Sequence, residues 1–313
     1  MMQLKPLVLL TGGRGMVGRN LLEHPLAEQL QILAPSSAEL DLRNFSKVQE
    51  FVTSIKPDFV IHTAGLVGGI QANMAKPVDF LIENVDLGRN IILASRNAGV
   101  KKLLNLSSSC MYPRNASNPL SEDLILTGEL EPTNEGYALA KIFAMRLCEY
   151  IHKEDNSFSY KTFIPCNLFG RFDKFNPKHS HLIPAIIHKV HLAKLNQEKS
   201  VEIWGDGFAR REFMYAGDLA DAMMRALMNF DSTPSLMNVG LGFDYSINEY
   251  YEAVARIVGW SGSFSHDLSK PVGMKQKLVS TARQKDWGWQ ATTSLEEGIA
   301  KAYDFYLKVS HEF

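Results

Sequence analysis

Leu7-Val8-Leu9-Leu10-Thr11-Gly12-Gly13-Arg14-Gly15-Met16-Val17-Gly18 is a short apolar run that breaks into a GxxGxxG turn. The run is too short for a membrane span and reads as a buried strand. Glycines after a strand permit a tight turn, let the backbone approach a pyrophosphate, and allow the next helix to pack closely. The unpaired N–H groups at that helix's N-terminus attract the anion. The stretch therefore predicts a strand, turn and helix that open a dinucleotide-binding α/β fold.

Working outward, residues 31–34, 59–61, 102–106 and 160–164 are further short apolar runs, separated by helical patterns. Strands that alternate with crossover helices predict a doubly wound parallel sheet of the Rossmann type. From about Gly170 the pattern loosens into the polar loop RFDKFNPKHSH, a helix over 183–195, the strand VEIW and the turn GDG. Residues 1–170 thus read as the dinucleotide-binding unit and 171–313 as a smaller C-terminal substrate lobe, with returns to the first unit near 213–243. No linker, repeat or low-complexity tract interrupts the chain.

The 313 residues are 45% hydrophobic and 21% charged, with a net charge of -1. That balance gives no overall attraction to nucleic acid or to an anionic membrane, so an anionic ligand must be held by local cations. The N-terminal MMQLKPLVLL leads straight into the glycine turn and reads as the first strand rather than a signal. Cys110, Cys148 and Cys166 are odd in number and lack metal-ligand spacing, which fits a reducing cytoplasm and no metal site.

The end of the second strand reads Ala34-Pro35-Ser36-Ser37. No carboxylate stands there to repel a 2′-phosphate, and Arg14 lies opposite, so NADP(H) is preferred over NAD. Asp41 either contacts the adenine or caps a helix.

Farther along, Leu103-Leu104-Asn105-Leu106 runs into Ser107-Ser108-Ser109-Cys110-Met111-Tyr112-Pro113. Chemistry in open α/β sheets sits at the carboxyl ends of strands, where this hydroxyl-rich turn falls. Tyr137-Ala138-Leu139-Ala140-Lys141 lies in a predicted helix from Glu135, and its i,i+4 spacing puts phenol and ammonium on one face. A nearby ammonium lowers a tyrosine pKa, and a serine hydroxyl can orient a carbonyl oxygen for protonation.

In this order GGRGMVG, SSSC and YALAK resemble the extended short-chain dehydrogenases over nearly the whole chain. VGGIQAN, SSCMYP, EPTNEGYALAK, PCNLFG, NPKHSHLIPAII and REF narrow the resemblance to the GDP-L-fucose synthase family. The resemblance implies a homodimer packed through helices over 77–97 and 135–152, and a GDP-linked 4-keto sugar that is epimerised at C3 and C5 and then reduced at C4. It makes Cys110 the base and His181 the acid, with Tyr137 protonating the C4 oxygen as NADPH delivers hydride. Lys141 would hold the nicotinamide ribose, and Ser108 the carbonyl oxygen. It also implies cofactor contacts from Leu106, Ser107, Ser109, Pro165, Asn167, Leu168 and His181, and substrate contacts from Asn167, Lys189, Trp204 and Arg211.

Taken singly, these residues admit plainer roles. Cys110 also reads as a small buried hydrophobe, His181 as a helix-start residue, Lys189 as a solvated charge, Trp204 as a core aromatic and Arg211 as a surface ion pair. Three positions depart from the family pattern: Cys166 replaces a threonine, Val272 replaces an acid in Ser269-Lys270-Pro271-Val272-Gly273, and Leu278-Val279-Ser280 also lacks one. Val272 keeps a GDP-L-colitose precursor or a GDP-heptose open as substrates. A non-catalytic NADP-binding sensor is the reading from another class.

Overall fold

The computed structural model describes residues 5–176, 180–270 and 274–310. His179 and Val272 lie outside the described residues. In the first half, β1 (Leu7–Thr11), α1 (Met16–Leu22), β2 (Gln31–Leu33), α2 (Phe45–Ile55) and β3 (Phe59–His62) are followed by α3 (Ile70–Ala75) and α4 (Pro77–Asn97). Then come β4 (Lys102–Leu106), α5 (Glu135–Glu154), β5 (Ser159–Pro165), β6 (Asn167–Phe169) and α6 (Leu182–Leu195). The remainder is β7 (Ser200–Trp204), β8 (Arg210–Arg211), β9 (Phe213–Tyr215), α7 (Ala216–Met228), β10 (Leu236–Val239), β11 (Tyr245–Ser246), α8 (Ile247–Val258), β12 (Ser263–Asp267), β13 (Gln276–Lys277), α9 (Ala282–Asp286) and α10 (Leu295–Val309).

Six parallel strands form the main sheet in the order β10-β5-β4-β3-β1-β2. The chain winds first to one side of β1 and then to the other, so β1 and β3 flank the topological switch point. Alternation along each strand feeds two faces. Val8, Leu10, Ile61 and Leu104 enter a core with Met223 and Trp289, whereas Leu9, Val60 and Leu103 enter one with Ile91 and Ile92. A third core joins Phe169, Ile183, Tyr250, Ile299 and Tyr306 beyond the sheet edge.

Local chemistry sets the helix ends. Asn44 accepts from Lys47 N at 3.2 Å to start α2. Ser246 and Glu249 form a reciprocal capping box on α8, which Gly259 ends at φ 72°. Among the described residues no helix is long and apolar enough to cross a membrane.

Two glycines set how α1 meets the sheet. Gly12 sits at φ 78°, and a Cβ there would lie 2.6 Å from Ala64 N; a Cβ on Gly18 would lie 2.4 Å from Gly12 O. We expect Gly18→Ala to cost about 1–3 kcal/mol through this overlap, read as a lower urea midpoint.

Candidate active site

Above the switch point a cavity of about 470 Å³ is lined by residues 11–15, 35–37, 40–43 and 63–66. Gly12, Gly13, Arg14 and Gly15 form its floor and rim, and Met16, Val17 and Gly18 begin the helix beneath it. The missing side chains at Gly12 and Gly18 make the cradle that a pyrophosphate requires. Arg14 is exposed at the rim, beside Ser36 and Ser37. Glu39 stands close in sequence, but its carboxylate accepts from Ser36 N and Oγ, both at 2.7 Å, and does not line the cavity. Asp41 does line it, with its oxygens held by Arg43 Nε and Nη2 at 2.9 Å each. The helix-cap alternative for Asp41 is overturned, because Asn44 occupies that position. Arg43 is a second cation at this cavity that sequence reading missed.

β4 ends at Leu106 and runs straight into Ser107 and Ser108. Ser108 Oγ accepts from Cys110 N at 3.4 Å, which starts the 3-10 turn Ser109–Met111. From α5, Lys141 donates through Nζ to Leu106 O at 3.0 Å and stands 5.6 Å from the centre of the Tyr137 ring. A Cβ on Gly65, which lines the cavity, would lie 3.6 Å from the same Nζ. The structure thus brings Ser108, Cys110, Tyr137 and Lys141 together, with Lys141 next to the cavity wall at Gly65.

Their electrostatics depart from the sequence-based expectation. Burial raises the Tyr137 phenol, the Cys110 sulfur adds to the rise, and the Ser108 hydrogen bond only partly opposes it. The lowering anticipated from Lys141 does not prevail, because desolvation of the phenol is the largest influence on it; burial also lowers the Lys141 ammonium, to about 8. The phenol is therefore held in its proton-donating form. Burial likewise pushes the Cys110 thiol up, opposed first by Lys277 and then by Ser108 and Lys141.

His181 occupies the cap position of α6, and burial lowers its imidazole. Its neighbour Ser180 approaches the loop after β3, with Ser180 O 3.8 Å from a Cβ built on Gly69. No hydrogen bond joins His181 to Ser108, Cys110, Tyr137 or Lys141 among the described residues. Pro165 ends β5, and Asn167 and Leu168 follow in β6, with Asn167 Nδ2 donating to Glu212 O at 3.0 Å.

Lys189 and Trp204 converge on Glu202: Lys189 Nζ donates to its carbonyl oxygen and Trp204 Nε1 to its Oε1 at 3.2 Å. Trp204 is 50% exposed, so the core-aromatic alternative fails. Arg211 lies in β8, part-buried, with Nη1 donating to Arg210 O at 2.8 Å.

Sequence reading missed Lys277, which pairs with Arg211 across β13 and β8. It also missed Glu212, a fully buried carboxylate that accepts from Leu241 N, Gly242 N and Val279 N. The REF string held the only signal for Glu212. A second cavity of about 230 Å³ has Tyr137 in its wall with Asn73 and Asn134, whose Oδ1 atoms are buried without partners.

Residues 8–240 match the NAD dependent epimerase/dehydratase family. GDP-L-colitose synthase of Yersinia pseudotuberculosis is 51% identical over 300 residues, spanning 96% of this chain and 97% of that protein. GDP-L-fucose synthase of Azorhizobium caulinodans is 50% identical, spanning 96% of each chain. Among solved structures, a GDP-mannoheptose C4 reductase from Campylobacter jejuni with NADP bound is 32% identical, with a TM-score of 0.88 over 98% of this chain and all (100%) of that one. Glycine cradle, serine turn and tyrosine–lysine helix thus fall in the matched region, and the chain belongs to the NAD dependent epimerase/dehydratase family.

Proposed function

We propose that this chain is an NADPH-dependent epimerase/reductase that converts GDP-4-keto-6-deoxy-D-mannose to GDP-L-fucose. The observation that carries the reading is the meeting of Ser108, Tyr137 and Lys141 with the Cys110 thiol, with Lys141 next to the cavity wall at Gly65. A reductase that only moved hydride would have no use for a second proton-transfer group there. The similarity to GDP-L-fucose synthase over nearly the full chain supports the same substrate class.

Carbons beside a ketone are acidified because the enolate is stabilised, so inversion takes a base on one face and an acid on the other. In this reading the Cys110 thiolate removes the proton, Ser108 holds the carbonyl oxygen, and His181 returns a proton to the opposite face. Bound NADPH supplies the hydride to C4. Tyr137 then gives its proton to the C4 oxygen, and the Lys141 ammonium stabilises the phenolate left behind. Arg14 and Arg43 would hold the 2′-phosphate, and Lys189, Trp204 and Arg211 the GDP portion.

GDP-L-colitose synthesis is the second reading, favoured by the 51% identical relative. Product NMR after turnover in heavy water separates the two: deuterium at C3 and C5 fits fucose synthesis, and at C5 alone fits colitose synthesis.

A homodimer is part of the proposal. Val78 and Ile82 on α4 and Leu139, Phe143 and Tyr150 on α5 are all exposed, an apolar face that a second copy would cover. A Val78→Arg/Phe143→Arg double variant is expected to elute as a monomer in light-scattering chromatography.

Tyr137→Phe should lower the rate of NADPH oxidation about a hundredfold or more, since it deletes the proton donor. Lys141 is charged below its pKa of about 8. The reduction rate at saturating substrate should therefore fall as pH rises through about 8, and Lys141→Met should abolish that limb of the profile.

A further inference from the structure

The last strand of the main sheet, β10, reads Leu236-Met237-Asn238-Val239, and its asparagine is fully buried. An asparagine inside a buried strand forgoes apolar packing and must have its polar atoms hydrogen-bonded. Asn238 meets that demand. Its Nδ2 donates to Leu120 O at 2.9 Å and to Ser280 O at 3.0 Å, which uses both protons and fixes which way the amide faces. Its Oδ1 accepts from Tyr112 Oη at 2.6 Å, and its backbone N donates to Glu122 Oε1 at 2.8 Å. Burial raises the Tyr112 phenol, so its hydroxyl keeps the proton that it donates.

This bond joins residues 126 places apart and ends two residues from Cys110. The turn that carries Cys110 has bonds of its own: Ser108 Oγ accepts from Cys110 N at 3.4 Å, Ser108 O accepts from Met111 N at 3.2 Å, and Ser107 Oγ donates to Met111 Sδ at 2.9 Å. The first is long and the last has a weak sulfur acceptor, so they hold the far end of the turn poorly. Tyr112 supplies what they lack. Cys110, Met111 and Tyr112 share a core with Ala138, Ile142 and Met145 of α5, the helix that carries Tyr137 and Lys141. The turn is thus held by apolar packing and by an anchored amide together. The anchor does not depend on the turn: Ser280 N donates to Leu120 O at 2.8 Å, and Glu122 Oε2 lies 3.6 Å from Arg283 Nε.

We propose that Tyr112 is a positioning residue for Cys110: its hydroxyl, received by Asn238, fixes the turn so that the sulfur meets the substrate carbon beside Ser108 and Tyr137. A displacement of about 1 Å can slow such a step about a hundredfold. Ser108 needs the bond less, because Ser107 N just before it donates to Phe163 O at 2.8 Å and holds it from the sheet side. The role rests on the reading of Cys110 as the base.

The test is solvent-deuterium uptake by GDP-4-keto-6-deoxy-D-mannose on the whole enzyme with oxidised NADP bound, so that inversion is read without hydride transfer. Tyr112→Phe removes one oxygen and keeps the ring. It should lower the maximal uptake rate about tenfold or more, while KM for the sugar nucleotide and Kd for NADPH stay within about twofold. The double variant with Asn238→Ser, whose shorter side chain cannot reach Tyr112, should be no slower than Asn238→Ser alone, since both remove the same bond. A Tyr112→Phe uptake rate within about twofold of the unsubstituted enzyme overturns the proposal. So does a loss matched by similar rises in KM and in Kd for NADPH, or losses that multiply in the double variant, since those mark a general loosening of the fold. Cys110→Ser enzyme that takes up deuterium at the normal rate overturns the base assignment itself, and this role with it, whatever Tyr112→Phe gives.

Discussion

The closeness of α1 to β1 and β3 is the constraint on which the cofactor end of this molecule depends. Gly12 and Gly18 leave no room for a side chain, and backbone therefore meets backbone at the switch point. That contact sets the glycine turn against the cavity, in which a diphosphate would fit. It also fixes where α1 presents its outer side to α7, which follows in sequence only after β9. A widened contact would move the cofactor cradle and the later helix together.

Burial shapes the proton chemistry at the opposite end in one direction for acids and the other for bases. The Cys110 thiol and the Tyr137 phenol are pushed up, while Lys141 comes down to about 8 and Lys277 is also lowered. Groups whose proton affinities lie close together in water, a thiol, a phenol and an ammonium, are thereby pushed apart, so that the phenol and thiol hold their protons while the ammonium gives one up more readily. The same dryness raises the carboxyl of Glu212 to about 7 despite its three backbone donors. Hydrogen bonds favour the ionised form there, and desolvation outweighs them.

What was legible in the sequence follows from the range of the interactions involved. The strands at 7–11, 59–62 and 102–106 announce themselves because both faces of a central parallel strand are buried, giving nearly unbroken apolar runs. Tyr137 and Lys141 are visible because one helix supplies both and a helix fixes i,i+4 neighbours. Lys277 was not, since its position depends on a two-residue strand pairing with Arg211, 66 places earlier, and no local periodicity marks such a pair. Asp41 was misread as a possible cap because capping depends on which of two neighbouring polar residues turns its oxygen inward, and Asn44 does. The direction of the Tyr137 shift was missed because a sequence displays the neighbouring charge but not the depth at which both groups lie.

The outermost strand of the main sheet, β10, comes from residues 236–239, long after the other five are complete. During synthesis β5 must therefore wait, with one edge of its backbone unpaired, while some seventy more residues leave the ribosome. A nascent chain in that interval carries an open parallel edge rich in buried-type side chains, Tyr160, Phe163 and Ile164 among them. Its yield in a cell is then governed by how quickly the later segment arrives, so codon choice between positions 166 and 236 and the supply of holding chaperones become levers on the amount of active enzyme.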